Sequence, residues 1–132
     1  MNQEKICFIG GSCSGKSWIV SQLRNVPYGN NEWLNVDPSV GLRTLGVEVH
    51  PVRLGNYIYK VWDCAGERFG GVREGYYTEA RKIFIFHGGE ENKTPDEWEV
   101  LAKKGAPNAI IVHVTGTFEE KKQQVCASLL IH

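Results

Sequence analysis

Gly10-Gly-Ser-Cys-Ser-Gly15-Lys16-Ser17 stands between the apolar run Lys5 to Ile9 and a segment in which Trp18, Ile19 and Leu23 fall near helical spacing. A buried strand, a glycine-bounded loop closing on Gly-Lys-Ser and then a helix together form the pattern of a phosphate-binding loop. The glycines let backbone N–H groups point into one concavity, and the following helix adds the positive end of its dipole. Gly10, Ser12, Cys13, Ser14 and Gly15 therefore form the cradle. Lys16 brings a point charge to the terminal phosphates, and Ser17 offers a hydroxyl oxygen to Mg²⁺.

The rest of the chain alternates in the same way. The first helix runs over Ser17 to Arg24, stopping before Pro27, and Asn25 to Gly46 is a long loop rich in Pro, Gly, Asn, Asp and Ser. Val47 to Leu54 and Tyr57 to Trp62 are β-type segments joined by Gly55-Asn56, the signal of a hairpin. Asp63 to Gly75 reads as loop, Lys82 to His87 as strand and Asp96 to Lys104 as amphipathic helix. Ala109 to Val114 is continuously apolar, which suggests a strand buried on both faces. Thr117 and Glu120 have capping-box spacing, opening a terminal helix whose inner face is Phe118, Lys122, Val125 and Leu129.

With 132 residues the chain is expected to be one domain, 1–132. Fifteen basic residues balance fifteen acidic ones, which argues against nucleic acid or an anionic membrane as the main partner. The apolar runs are far short of the ~20 residues that span a bilayer. No signal-peptide core or prenylation box is seen, so an intracellular location is expected. Cys7, Cys13, Cys64 and Cys126 form no C-x-x-C pair and read as reduced thiols.

A phosphate loop alone does not separate kinases, ATPases and GTPases; the residues after the hairpin do. Asp63, at the end of a strand, stands where a P-loop protein places its second magnesium ligand, Gly66 offers a backbone N–H to a γ-phosphate, and Thr44 is a second hydroxyl for the metal. Thr44-Leu-Gly-Val-Glu-Val-His-Pro51, Val61-Trp-Asp-Cys-Ala-Gly66 and Phe69-Gly-Gly-Val-Arg-Glu-Gly-Tyr-Tyr77 resemble the switch I and switch II segments of the Ran GTPases, within the Ras superfamily. The resemblance covers most of Lys5 to Val114. It implies an α/β, doubly wound, mostly parallel sheet with one antiparallel edge strand, Mg²⁺ and guanine nucleotide (GTP or GDP) as ligands, and Lys16, Thr44 and the switch II position as the catalytic set. Nuclear transport receptors or Ran regulators are the implied partners, in cytoplasm or nucleus.

Four departures from the Ran pattern bear on function. Asp63-Cys-Ala-Gly-Glu67-Arg68-Phe69 is one residue short and has no glutamine. Glu67 in its place adds repulsion toward a γ-phosphate, so slow hydrolysis is expected. His113-Val-Thr-Gly116-Thr117 replaces the Asn-Lys-x-Asp box, and losing that buried contact to guanine costs about 2–5 kcal/mol, enough to erase discrimination against adenine. Ser12 and Cys13 occupy positions that are glycine in Ran, which strains the loop wherever φ is positive. The family's last strand and helix are missing, so one sheet face is left open to a homodimer or a partner unless Phe118 to Ile131 covers it.

His50, His87 and His113 have no carboxylate beside them in sequence and read as packing or edge histidines. Trp33, Trp62 and Trp98 read as packing residues, and Glu119-Glu120 and Lys121-Lys122 as solvated charge. Two functions follow. One is a GTP-binding switch with impaired hydrolysis; the other is a pseudo-GTPase whose Ran-like surface competes for transport partners.

Overall fold

The computed structural model describes residues 2–11, 13–24, 47–54, 56–64, 76–90 and 93–129. Five strands, β1 (Asn2–Gly10), β2 (Val47–Leu54), β3 (Tyr57–Cys64), β4 (Lys82–Phe86) and β5 (Ile110–Val114), form one sheet in the order β2–β3–β1–β4–β5. All neighbours are parallel except β2 and β3. Three helices accompany them: α1 (Lys16–Arg24), α2 (Pro95–Gly105) and α3 (Phe118–Leu129). This is the expected α/β class, with its single antiparallel strand at the edge.

Strand alternation divides the core in two. Ile6 and Phe8 of β1, Tyr59 and Val61 of β3, and Phe84 and Phe86 of β4 face α1 and α3, where they meet Ile19, Val20, Val125 and Leu129. Cys7, Ile9, Ile83 and Ile85 face the other way, against Trp98 and Ala102 of α2 and Ala106 just beyond it. Tyr59 fastens the terminal helix, its hydroxyl donating to the Leu129 carbonyl at 2.8 Å.

Helix α3 thus covers the face on which the homodimer expectation rested, and that support is withdrawn. Its inner face also differs by one residue from the expected set. Lys121, Val125 and Leu129 are the buried positions, at i, i+4 and i+8, while Lys122 is half-buried and Phe118 is 39% exposed. The cap is as expected: Thr117 Oγ1 accepts from the Glu120 N–H and Glu120 Oε1 from the Thr117 N–H. A second capping box, Thr94 with Glu97, starts α2. No helix among the described residues is long and apolar enough to cross a membrane.

Strand β5 departs from its expected burial on both faces. It is the edge strand beyond β4, so Ile110 is 50% exposed, and the strand buried along its whole length is β4. Strand β3 runs on through Asp63 and Cys64, which pair with Glu48 and Val47, so Asp63 lies in the sheet and not in the loop after it. The Gly55-Asn56 turn is only partly described, and Trp33 lies outside the described residues.

Trp98 is the largest fully buried side chain among the described residues, and its indole N–H has no hydrogen-bond partner among them. Trp98→Ala is expected to cost about 3–5 kcal/mol in denaturant unfolding, whereas Trp98→Phe, which deletes the unpaired donor and keeps most of the ring, costs less than about 1.5 kcal/mol.

Candidate functional site

The loop leaves the sheet at Gly10, the last residue of β1, whose partner across β4 is Phe86. Gly10 has φ +136°, and a Cβ there would stand 2.4 Å from the Phe86 carbonyl oxygen, so only glycine lets the two strand ends approach so closely. Cys13 at φ 62° and Gly15 at φ +104° continue the turn. The strain foreseen for a non-glycine residue is present at Cys13, while Ser12 lies outside the described residues. Backbone that alternates in handedness this way aims successive N–H groups into an anion-binding hollow, and α1 begins at once, its Ile19 N–H donating to the Gly15 carbonyl at 2.9 Å.

Lys16 is only 4% exposed. Its ammonium donates to the carbonyls of Gly10 at 2.8 Å and Gly11 at 2.6 Å and lies 3.3 Å from Ser14 Oγ, which itself donates to the Gly11 carbonyl. The charge is thus held within the loop. One residue on, the Ser17 hydroxyl donates to Asp63 Oδ2 at 2.7 Å, across 46 positions of sequence.

Asp63 is 1% exposed, and its other oxygen, Oδ1, has no hydrogen-bond partner among the described residues. Burial pushes its carboxyl above the usual carboxylate range, while the Ser17 hydroxyl and the Lys16 charge pull the other way. Glu48, opposite it on β2, adds to the upward push and His50 opposes it. A buried carboxylate with a spare oxygen beside a serine hydroxyl is a donor set that suits a hard divalent cation. No three His, Cys, Asp or Glu residues among those described group into a metal site. A cation here would complete its shell from phosphate and water oxygens, as Mg²⁺ does.

The structure therefore brings together Gly10, Cys13, Ser14, Gly15, Lys16, Ser17 and Asp63. Thr44, Gly66 and Glu67 lie outside the described residues, as do 69–75 of the switch-like segment. The cysteines are all free, with Cys13 exposed and Cys64 buried.

Space supplies partners that the sequence did not display. His113 Nε2 is 2.7 Å from Glu99 Oε1, His113 Nδ1 is 2.8 Å from His87 Nε2, and His50 bridges Glu48 and Arg24. Hydrogen bonds from His113 and then Lys103 hold the Glu99 carboxyl below its usual range. Lys121, read as solvated charge, is 4% exposed and donates to the carbonyls of Ser14 at 2.8 Å and His87 at 2.5 Å, tying α3 to the loop and to the end of β4. Its spacing with Val125 and Leu129 was the available signal.

A family model described as Ras of Complex, Roc, domain of DAPkinase matches residues 5–119. The RocCORdC fragment of Methanosarcina barkeri Roco2 bound to GDP superposes with a TM-score of 0.60 at 13% identity, over 91% of this chain and 36% of that one. A crystal structure of a Thermus thermophilus protein superposes with a TM-score of 0.57 at 16% identity, over 96% of this chain and 22% of that one. At these identities the likeness is one of fold, and the chain spans well under half of either structure.

Asp63→Asn, which keeps an acceptor for Ser17, is expected to stabilise the ligand-free protein at pH 7 by about 1 kcal/mol in thermal unfolding, since a buried charge lacking full hydrogen bonding is costly; a lower midpoint contradicts this.

Proposed function

We propose, on the premise that the chain belongs to the Roc (Ras of Complex) family of Ras-like GTPase domains, that it binds GTP or GDP with Mg²⁺ at the loop 10–17 and acts as a nucleotide-dependent switch with slow hydrolysis. The observation that carries this reading is the convergence of Lys16, Ser17 and Asp63, with one Asp63 oxygen left unpaired among the described residues. The GDP bound in the Roco2 structure supports the choice of nucleotide.

In this reading the loop amides and the Lys16 ammonium take the phosphate oxygens, replacing the carbonyls that Lys16 now holds. Ser17 and Asp63, with Thr44, would hold Mg²⁺, which when bound neutralises charge between the terminal phosphates. Water attacks the γ-phosphorus and the bond to the β–γ bridging oxygen breaks, with Lys16 stabilising the charge left on the leaving diphosphate. Gly66 contributes a backbone N–H to the γ-phosphate. The water's proton passes to a γ-phosphate oxygen, and Glu67, a carboxylate where an amide would orient the water, repels the γ-phosphate, so turnover is slow. The residues of β2 that resemble Ran, with Pro51 exposed at the sheet edge, support engagement of nuclear transport receptors or Ran regulators, in cytoplasm or nucleus.

Lys16→Ala is expected to weaken Mg-GDP binding by about 100-fold or more, the range for removing a charge-assisted contact; calorimetric affinity within threefold of the unaltered chain contradicts the site. Glu67→Gln is expected to raise single-turnover GTP hydrolysis by about tenfold or more by restoring a water-orienting amide, and an unchanged rate removes Glu67 from the catalytic set.

A further inference from the structure

Strand β1, which feeds the phosphate loop, lies between β3 and β4. The cation-binding pair Ser17 and Asp63 sits on the β3 side. A cation held by that pair would sit beside the terminal phosphates, and the nucleoside end of the ligand would then leave the loop on the other side, over the carboxyl ends of β4 and β5, where ligands of open α/β sheets bind. This deduction rests on the phosphate-site reading above.

At that end the backbone of Thr115 is already committed. The Thr115 N–H and carbonyl both bond the Gln124 side chain, at 3.0 and 2.6 Å, and the Glu120 carboxylate is taken by its cap. What is presented instead is an aromatic ring. Phe118, the first residue of α3, is one of the few large apolar side chains left exposed among the described residues, at 39%. Its ring lies against Gly15, where an added Cβ would come within 3.1 Å of it, and 5.5 Å from the ring of Trp18 at a tilt of 38°. Lys121, 5.7 Å from the ring centroid, holds the same turn of α3 to the phosphate loop through the Ser14 carbonyl.

We infer that Phe118, braced on Gly15 and Trp18 and fixed by Lys121, is the platform on which the purine of the bound nucleotide stacks, so that the base is taken by its face and not read by its edge. Every base has a π face, and stacking on an aromatic side chain contributes about 10- to 100-fold in affinity with little dependence on which base it is. The site therefore holds guanine and adenine nucleotides alike, and the absence of a base-reading carboxylate after β5 is made good by an aromatic contact that does not discriminate.

The test is calorimetric titration of the Mg²⁺-loaded chain with GDP, ADP and pyrophosphate. The unaltered protein is expected to bind GDP and ADP within about threefold of each other. Phe118→Leu, which preserves apolar contact with Gly15 and Trp18, and Phe118→Ala both lower the two nucleotide affinities by about tenfold or more and leave pyrophosphate within twofold. Glu119→Gln, removing the other exposed carboxylate of that turn, leaves the GDP to ADP ratio unchanged. A preference for GDP above 100-fold, nucleotide affinity indifferent to Phe118→Leu, or a parallel loss of pyrophosphate overturns the platform. Failure of the unaltered chain to bind any of the three probes overturns the phosphate site, and this inference with it.

Discussion

The parallel register between β1 and β3 is the constraint on which the site depends. It pairs Phe8 with Asp63, so the carboxylate stands two residues before the point where β1 gives way to the phosphate loop, within reach of Ser17 at the start of α1. A slip of one residue would turn Asp63 to the opposite face of the sheet. The register is secured by burial: Ile6 and Phe8 on one face and Cys7 and Ile9 on the other are fully enclosed. Packing that leaves β1 no alternative alignment also delivers a charged group to a dry place, where an isolated carboxylate is costly and a cation relieves it.

That cost is local, and the surrounding structure is built to bear it. Lys16 and Ser17 partly offset the burial of Asp63, while Gly10 and Gly15 accept backbone angles that other residues resist and Cys13 adopts one at some strain. The loop is held from both sides, by α1 growing directly out of it and by Lys121 reaching back from α3 to the Ser14 carbonyl. A helix that completes the core on one face thus also fixes the geometry of the phosphate cradle. Strain at the loop and order around it are two aspects of one arrangement.

Much of this was legible in the residues, for identifiable reasons. The Gly-Lys-Ser loop, the capping box at Thr117 and the alternating elements are local patterns whose meaning depends on a few neighbours, while the Ras-like fold followed from the resemblance of 44–51, 61–66 and 69–77 to the Ran switches. Ser17 and Asp63 were each read as a ligand to magnesium; the hydrogen bond between them is a feature of the fold. Less visible were features set by sheet order. Strand β5 has the composition of a doubly buried strand, but its place at the edge leaves Ile110 half in water. His113 and Glu99 meet because β5 and α2 pack together, and Lys121 is buried because α3 faces the sheet through Val125 and Leu129 and not through Lys122. Charged residues in a helix look alike in sequence until the buried face is known to within one position.

The central claim is that the loop 10–17 holds a nucleoside polyphosphate. The most direct measurement is the identity and stoichiometry of the nucleotide that travels with the purified chain, read by release and mass spectrometry. The account predicts about one purine nucleotide per chain, or full uptake on incubation with Mg²⁺ and nucleotide followed by gel filtration. A chain that emerges empty from both, at high protein concentration, would contradict it.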